Sequence, residues 1–571
     1  MNTLRHKRLS RIATCTALAI AAGTALATPA AAEPVAPGAP AARSAAEQRT
    51  PQPTGVLPEA RRGGLAARAA GAAPLFDLNG DGRNELLYRT GADHVLKTWT
   101  SDDTPFTTPL YEDSAYKDLI PVGDLDQDGS PELLALTVTG ELSLATASTS
   151  GFGYTEWTGK GWQVYNKVLG AGDLTGDGRP DVLARKHNGE LYLYAGRGTL
   201  YGEPFRAAVK VGAGWQTYDQ IVAGGDLNAD GTGDLVARTP AGDLYFYKGT
   251  RSAAAPFAKP VKIGTGWGIY NQLLNLGDAN GDGDSEILAR DVSGTTWYYA
   301  GNGNGTLAAR QKSGTNWQWT NLFAGQGGVP AHGKKRLVGR NTANTLYVYG
   351  TSANGALSAR EKWSDDGGWP DFAPITSASS MNDSLWGSFM YVYQGRLHHE
   401  NDDLGAGWGA FNALVGPGDL SGDGKGDLLA RDRSGVLWLY RGNGRGTAVG
   451  SKSKIGAGWG GFDRLLGGGD FTGDGRADLI ARTTGGTLYV YPGTGNASAP
   501  FGAKVKIGTG FGVYNKMASP GDMNGDGRAD LVGTDSQGNA YRYVTTGLGG
   551  ASTLSKRVLL GGGWNTYKNL Y

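Results

Sequence analysis

A nine-residue acidic signature recurs eight times along this 571-residue chain and contains most of the side chains that could do chemistry. Each copy has Asp at position 1, a side chain with an oxygen atom at position 3, Asp at position 5, Gly at position 6 and Asp or Glu at position 9. The residues at positions 1, 3, 5 and 9 are Asp77, Asn79, Asp81 and Glu85; Asp124, Asp126, Asp128 and Glu132; Asp173, Thr175, Asp177 and Asp181; Asp226, Asn228, Asp230 and Asp234; Asp278, Asn280, Asp282 and Glu286; Asp419, Ser421, Asp423 and Asp427; Asp470, Thr472, Asp474 and Asp478; and Asp522, Asn524, Asp526 and Asp530.

The signature is typical of a calcium loop. Ca²⁺ takes about six to eight oxygen ligands in a flexible arrangement, and glycine at position 6 permits the sharp turn that lets positions 1, 3 and 5 converge. A carbonyl at position 7 and the acid at position 9 would complete the shell. A plain Asp-Gly turn needs no metal, but it gives no reason for eight copies that each crowd three acids together. The sequence therefore predicts about eight bound Ca²⁺ ions. Mg²⁺ fits less well, because it demands near-octahedral geometry.

The signatures mark a longer repeat. They are spaced 47 to 53 residues apart, except for one gap of 141 residues, and degenerate copies around 326–350 and 375–399 fill that gap to give ten repeats. Within each repeat, short alternating or β-branched and aromatic segments are bounded by Gly, Asn or Asp, as strands are. Four strands in a repeat of about 50 residues are typical of propeller blades. The sequence therefore predicts an all-β fold, a β-propeller of about ten four-stranded blades.

The way the ring closes stays open at this point. The first repeat lacks its first strand, and an extra strand follows the last repeat, so a C-terminal strand could complete the N-terminal blade and close one large ring. Residues 314–323 could equally close a first ring of five repeats and leave five for a second, with a split near 325. One large ring and two five-bladed rings in tandem are both compatible with the sequence.

Two further residue types recur with the repeat. An aromatic residue near the end of each repeat is predicted to pack blade against blade, with sugar stacking between blades as the alternative. An arginine four residues after the last acid could bind anions or acidic glycans around the axis, or could form buried ion pairs with the calcium carboxylates. The aromatic positions are Trp162, Trp215, Trp267, Trp317, Trp369, Trp408, Trp459, Phe511 and Trp564, and the arginines are Arg89, Arg185, Arg238, Arg290, Arg431 and Arg482, with Arg340 in the equivalent place of the sixth repeat.

Residues 1–32 are predicted to be a secretory signal peptide that is cleaved near Ala32. Four basic residues precede an apolar run from Ile12 to Leu26, which is too short to span a membrane, and small residues follow it. Residues 33–73, rich in Ala, Pro and Arg, are predicted to be a flexible linker before the repeats at 74–571. The protein is therefore expected to be extracellular. Its single cysteine, Cys15, lies in the signal, so packing or metal ions would have to replace disulfides.

The repeats resemble the FG-GAP/VCBS family, the calcium-binding blades of integrin-α-like propellers that also occur in fungal lectins and in secreted bacterial proteins. The resemblance covers essentially all of 74–571, and the nine-residue loop is its most specific part. It implies a calcium role for the residues at positions 1, 3, 5 and 9. The Phe-Gly…Gly-Ala-Pro element of the family is replaced here by GWxxYN, so integrin-style ligand recognition is not implied.

No catalytic constellation stands out in the sequence. The histidines after the signal, at His94, His187, His332, His398 and His399, do not recur with the repeat, and no GxSxG motif is present. The predicted function is an extracellular binding or adhesion module for a glycan, a cell-wall polymer or a protein, with no nucleic-acid partner and no membrane span. The alternatives are a hydrolase or lyase with an unrecognised site on the propeller face, and a purely structural spacer.

Overall fold

A computed structural model describes residues 53–55, 72–90, 96–99, 107–108, 116–330, 333–369, 374–379, 381–382 and 387–571. All of them fall within one compact unit. The predicted signal peptide lies outside the described residues, as does most of the predicted linker. No helix in the described part of the chain is long and apolar enough to cross a membrane.

The first half of the chain forms five antiparallel sheets. Its strands are β1 (Thr54–Gly55), β2 (Leu86–Thr90), β3 (Leu96–Trp99), β4 (Thr107–Thr108), β5 (Tyr116–Gly123), β6 (Glu132–Thr137), β7 (Leu142–Ser148), β8 (Gly151–Gly159), β9 (Tyr165–Gly172), β10 (Asp181–Lys186), β11 (Leu191–Tyr194), β12 (Val209–Gly212), β13 (Gln220–Gly225), β14 (Asp234–Arg238), β15 (Leu244–Tyr247), β16 (Val261–Gly264), β17 (Tyr270–Gly277), β18 (Glu286–Asp291), β19 (Thr296–Tyr299), β20 (Gln311–Thr315) and β21 (Thr320–Phe323). Four sheets are the consecutive sets β5–β8, β9–β12, β13–β16 and β17–β20, and the fifth has the order β21-β2-β3-β4.

The second half forms five more sheets of the same kind. Its strands are β22 (Arg336–Asn341), β23 (Leu346–Gly350), β24 (Glu361–Lys362), β25 (Ile375–Ala378), β26 (Ser388–Tyr393), β27 (Arg396–His399), β28 (Asp402–Ala406), β29 (Phe411–Gly418), β30 (Asp427–Asp432), β31 (Leu437–Arg441), β32 (Ser453–Gly456), β33 (Phe462–Leu466), β34 (Leu479–Thr483), β35 (Leu488–Tyr491), β36 (Val505–Gly508), β37 (Tyr514–Gly521), β38 (Asp530–Asp535), β39 (Ala540–Tyr543), β40 (Val558–Gly561) and β41 (Tyr567–Leu570). The sheets are β25–β28, β29–β32, β33–β36, β37–β40 and a set in the order β41-β22-β23-β24. The predicted all-β fold of about ten four-stranded blades is confirmed.

Two late strands show how the blades are arranged. Strand β21 pairs with β2, and β41 pairs with β22, so each half is closed by a strand from its own end. Hydrophobic clusters join neighbouring blades within each half, and the last blade joins the first. Leu86 and Tyr88 pack with Leu274 and Leu288 in the first half, and Leu337 packs with the cluster around Val532 in the second. The described strands therefore form two five-bladed rings, the first ring (β2–β21) and the second ring (β22–β41).

Short 3-10 helices join the blades. The described residues contain them at Trp162–Val164, Trp215–Thr217, Trp267–Ile269, Trp317–Trp319, Trp408–Ala410, Trp459–Gly461, Phe511–Val513, Gly550–Ser552 and Trp564–Thr566, and they contain no α-helix. Most of these turns follow a glycine in the left-handed region, as Gly214 does with φ of 89° before Trp215. An L side chain is disfavoured in that conformation.

The linker prediction fails at two residues. Thr54–Gly55, inside the segment 33–73, forms strand β1 on the outer edge of the sheet β17–β20, where Thr54 pairs with Thr315. The Trp317 indole N–H also donates to the Thr54 carbonyl at 3.2 Å. Backbone pairing of this kind removes the freedom of a flexible linker at these positions.

Candidate metal centres

Each acidic loop precedes the second strand of its blade, and all but the first, at Asp77, also follow the first strand of that blade. In the third repeat, β9 ends at Gly172, position 1 follows at Asp173, and position 9 is Asp181, the first residue of β10. Glycines at positions 4 and 6 of this loop, Gly176 and Gly178, both have φ of 80°. The left-handed glycines let the chain fold back on the first aspartate.

The aspartate at position 1 organises its own loop. Asp173 Oδ1 accepts hydrogen bonds from the backbone N–H groups of Gly176 at 2.7 Å and Asp177 at 3.2 Å, and its Oδ2 accepts from Gly178 at 2.8 Å. The same pattern of donors from positions 4, 5 and 6 occurs at Asp77, Asp278, Asp419 and Asp522. Charge-assisted bonds to backbone donors fix a carboxylate strongly. The turn is thus shaped around this residue.

The acid at position 9 is buried and also accepts hydrogen bonds from backbone N–H groups. Asp181 Oδ2 accepts from the N–H groups of Leu174 and Thr175, each at 2.9 Å, while Oδ1 accepts from Gly196 N–H at 3.1 Å at the end of the third strand. Burial raises the pKa of Asp181 to about 6, because the charged carboxylate is desolvated and Asp173 repels it, although backbone hydrogen bonds oppose the shift. Burial likewise raises the pKa of Glu132 to about 8, with Asp126 and Asp124 adding to the rise.

Two loops bring three carboxylates together. One oxygen from each of Asp77, Asp81 and Glu85 lies within 4.8 Å of the others, and the same holds for Asp124, Asp126 and Asp128. In the second loop, Asp126 Oδ1 and Glu132 Oε1 are buried without a hydrogen-bond partner among the described residues. These donor sets, all oxygen and clustered, fit Ca²⁺.

The other six loops hold their acids further apart, or hold them against bases, within the described residues. Position 5 is paired with a basic side chain at Asp177 with Arg206 (3.3 Å), Asp230 with Lys248 (3.0 Å), Asp474 with Arg476 (3.8 Å) and Asp526 with Arg528 (2.6 Å). At position 3, the side chain donates a hydrogen bond to an acid of its own loop in six of the eight loops. The donors are Asn79, Thr175, Asn280, Ser421, Thr472 and Asn524. A cation in these loops would have to displace such contacts, so the count of about eight ions stays a prediction.

Comparison with protein families identifies the repeat. Residues 173–237, 226–289, 419–481 and 470–533 each match the family described as the FG-GAP-like repeat. This chain carries FG-GAP-like repeats. The resemblance inferred from the acidic loops is confirmed, and the matched FG-GAP-like residues include one pair of consecutive repeats from each ring.

The solved structures that the chain resembles share little sequence identity with it. No curated protein matches the FG-GAP-like chain in sequence. A crystal structure of a lectin from Burkholderia pseudomallei is 12% identical, with 78% of this chain and all of that one covered, at a TM-score of 0.21. BBS1N in complex with ARL6DN is 13% identical, with 66% of this chain and 92% of that one covered, at a TM-score of 0.22. Because these TM-scores are low, the two structures do not support the propeller assignment, which rests on the strand pairing.

The recurrent aromatic residues of the FG-GAP-like repeats are core residues. All nine are buried, with exposed fractions of 1–8%. Trp215, for example, lies 4.8 Å from Tyr247 and 5.8 Å from Tyr218 between ring centroids, and the two tyrosine hydroxyls are 2.7 Å apart. These rings fill the junction between blades, so the packing interpretation is confirmed and no face is left for stacking a sugar.

The recurrent arginines join neighbouring FG-GAP-like repeats. Most of them are buried, as the ion-pair interpretation expected, but the ion pairs of Arg238 and Arg482 are with Asp219 and Asp463 and not with acids of the metal loops. Arg185 Nε donates to Asn166 Oδ1 at 2.9 Å, and its Nη1 donates to the carbonyls of Trp215 at 3.1 Å and Tyr218 at 2.6 Å. The two carbonyl acceptors therefore belong to the 3-10 turn of the next repeat, and Asn166 belongs to β9 of the same sheet, so none of the three is in a metal loop. The same contacts recur at Arg238, Arg290, Arg431 and Arg482. The Asn of GWxxYN was the sequence signal for this role.

The loops of the second ring contact the first ring. The Asp474 carbonyl accepts hydrogen bonds from Asn166 Nδ2 at 2.9 Å and lies 3.2 Å from His187 Nδ1, and the Gly525 carbonyl accepts from Gln272 Nε2 at 2.9 Å. In the first ring, by contrast, the loop tips at 79–82, 127–129 and 176–178 are exposed. Three loops of the first ring thus have exposed tips, whereas the tips at 228–231 and 281–283 of the same ring are half-buried.

Proposed function

We propose that the protein is a secreted, calcium-binding propeller that acts as an extracellular binding or adhesion module. The observation that supports the metal most directly is the clustering of carboxylate oxygens in the loops that begin at Asp77 and Asp124. Like charges held this close repel one another unless a cation neutralises them. The unbonded, buried oxygens of Asp126 and Glu132 add to that argument, since a buried polar atom without a partner is costly.

In this proposal the first two loops hold Ca²⁺ through Asp77, Asp81 and Glu85, and through Asp124, Asp126, Asp128 and Glu132. The ion supplies positive charge at the centre of each loop, and in the second loop it links β5 to β6. The position 1 aspartates hold their turns through backbone N–H donors, so the carboxylates are fixed before a cation arrives. The remaining six loops are proposed to bind more weakly, because bases or donor groups occupy their acids.

Calcium binding is tested by titrating the chelator-treated full chain with Ca²⁺ in a calorimeter and by measuring its melting temperature with Ca²⁺ and with chelator. Binding to the native state alone raises stability in proportion to the logarithm of ion concentration. We expect saturable binding of at least two ions and a lower melting temperature in chelator. No binding heat together with an unchanged melting temperature would contradict the metal proposal.

The binding role is supported by where the free surface lies. The exposed loop tips of the first ring, at 79–82, 127–129 and 176–178, leave backbone and carboxylate oxygens open to a partner. In the second ring, the loop carbonyls of Asp474 and Gly525 instead accept hydrogen bonds from side chains of the first ring. We therefore place the contact with a glycan, cell-wall polymer or protein on the loop face of the first ring. Loops on a rigid scaffold are frequent binding sites.

The binding role is tested by adding the full chain to glycan arrays, purified wall fractions and proteins of the culture medium, each with Ca²⁺ and with chelator. We expect retention by one of these classes in Ca²⁺ and its loss in chelator. If replacing the exposed loop tips leaves retention unchanged, the proposal that the partner binds this face is wrong. If the protein is recovered only inside cells, the proposal of secretion is wrong.

A further inference from the structure

A cavity of about 430 Å³ lies where the two rings meet. The first ring contributes Lys117, the segment between the rings contributes Lys335, and the second ring contributes Asp419, Asp470 and Asp522. Small-molecule sites have volumes of roughly 300–1,000 Å³. A water molecule fills about 30 Å³ of liquid, so this cavity has room for an organic molecule and not only for an inorganic ion.

The cavity wall carries more positive than negative side chains. Three aspartates line it, against six basic residues. The basic residues are Lys117, Lys186, Lys334, Lys335, Lys425 and Arg476. A cleft lined by an excess of one sign of charge attracts the opposite charge.

The three aspartates direct their oxygens into their own loops. Asp419 accepts from the N–H groups of Gly422 and Gly424, both at 2.7 Å. Asp470 and Asp522 accept from the equivalent glycines of their loops at 2.6–2.9 Å. None of the three forms an ion pair within 4.0 Å with Lys117 or Lys335 in the described part of the chain. The acids of the wall therefore do not neutralise these lysines directly.

The side-chain amines of Lys117 and Lys335 have no hydrogen-bonding partner among the described residues, although both residues are half-buried. Desolvation lowers the pKa of Lys335 to about 8, and the positive charge of Arg89 adds to the effect, while Asp522 opposes it. Desolvation also lowers the pKa of Lys117, against the attraction of Asp118, Asp419 and Asp470. A buried ammonium without a close acceptor is costly, and an anionic group within bonding distance would remove that cost.

We propose that this inter-ring cavity binds a small organic anion, a molecule that carries a phosphate or carboxylate group, with Lys117 and Lys335 as its principal contacts. The site draws on both rings and on the segment between them, so the ligand would hold the rings together. It is separate from the exposed loop face of the first ring and does not depend on the extracellular partner proposed above. Failure of either proposal would leave the other standing.

The test is calorimetric titration of the full chain with glucose 6-phosphate, with glucose and inorganic sulfate as separate probes and sodium chloride holding the ionic strength constant. We expect one saturable site for glucose 6-phosphate, weaker binding of sulfate and none of glucose. Lys117→Met and Lys335→Met should each weaken binding by at least about tenfold, since a hydrogen bond to a charged group contributes about 1.5–3 kcal/mol. Lys556→Met, on an exposed lysine outside the cavity, is the matched control and should leave binding unchanged.

A second measurement uses only the wild-type chain, in case the variants unfold. Lysines are acylated with an amine-reactive reagent with and without glucose 6-phosphate, and mass spectrometry follows each site. Protection of Lys117 and Lys335, with Lys556 equally reactive in both samples, would support the proposal. Absence of saturable binding to the wild type, equal binding of glucose, or ligand-independent reactivity of both cavity lysines would overturn it.

Discussion

Replacing Arg482 by methionine removes one link between two blades of the second ring. Arg482 is 4% exposed and makes four hydrogen bonds to oxygen atoms, Asp463 Oδ1 at 3.0 Å, Asp463 Oδ2 at 2.6 Å, the Phe511 carbonyl at 2.9 Å and the Tyr514 carbonyl at 2.6 Å, and a fifth to Met517 Sδ at 3.5 Å. Methionine keeps most of the length of the side chain and none of the donors. The substitution therefore tests the hydrogen bonds more than the packing.

The expected loss in the free energy of unfolding depends on the hydrogen-bond acceptors that the substitution leaves without a donor. Each buried carbonyl that loses its donor costs about 1–3 kcal/mol. The Asp463 side chain is 31% exposed, so water can partly replace the guanidinium there and the loss of this ion pair costs less than a fully buried one. We expect Arg482→Met to lower the free energy of unfolding by about 3–5 kcal/mol in all.

The assay is urea unfolding of the full chain in Ca²⁺, followed by tryptophan fluorescence, with midpoint and slope fitted for each transition because two rings need not unfold together. Arg433→Met, on an exposed arginine of the same ring, is the control and should change stability by less than about 0.5 kcal/mol. Adding Asp463→Leu to Arg482→Met should recover part of the loss, since the unpaired carboxylate is then gone. A loss below about 1 kcal/mol for Arg482→Met would refute the claim that these arginines hold the blades together.

Three further predictions concern the core, the buried lysine and the metal loop. Trp215→Ala should destabilise the chain by about 3–5 kcal/mol in urea unfolding, because the ring is buried against Tyr247; a smaller loss together with reduced glycan binding would instead indicate a ligand role. Burial lowers the pKa of Lys334 to about 7, and the positive charge of Arg336 adds to the effect. The pKa of a lysine in the unfolded chain is about 10.4. Between these two pH values the unfolded state binds more protons than the folded state, so the free energy of unfolding rises with pH across that window. Lys334→Met should therefore raise the melting temperature more at about pH 6 than at about pH 9, and an equal rise at both would show that the folded lysine stays charged over this range and that its pKa is not lowered. Asp128→Asn should weaken Ca²⁺ binding to the second loop by about tenfold or more in calorimetry, since it removes one of three clustered carboxylates, whereas Asp365→Asn, an exposed control, should have no effect.

The blades could be predicted from the sequence because their signals are local. Strand alternation, the acidic loop and the aromatic turn all repeat within about 50 residues, and such patterns report on hairpins directly. Even the degenerate repeat around 375–399 forms a complete sheet, β25–β28, although it has lost the acidic signature. The strand pattern alone was sufficient to predict this sheet, because the strands pair without the metal loop.

The number of rings and the role of the arginines could not be predicted, because both depend on contacts between distant residues. Residues 314–323 and the C-terminal strand were equivalent candidates for closing a ring, and only their partners, β2 and β22, distinguish the two arrangements. Arg185 contacts the turn of the following repeat, about 30 residues away, and the sequence of a single repeat does not show which residues its side chain contacts. The bases that pair with Asp177 and Asp230, Arg206 and Lys248, likewise lie later in the blade, between its third and fourth strands.

Closure of each ring by its own last strand sets an order for folding. Strand β2 cannot complete its sheet until Thr320–Phe323 has emerged, but it needs nothing from residues beyond that point. A chain that crosses a membrane from its N-terminus could therefore seal the first ring while the second is still being delivered, and domains generally fold as units in that way. The second ring must wait for Tyr567–Leu570, and until then β22 keeps an open edge. Loss of these few residues would thus leave one finished ring joined to an aggregation-prone partner.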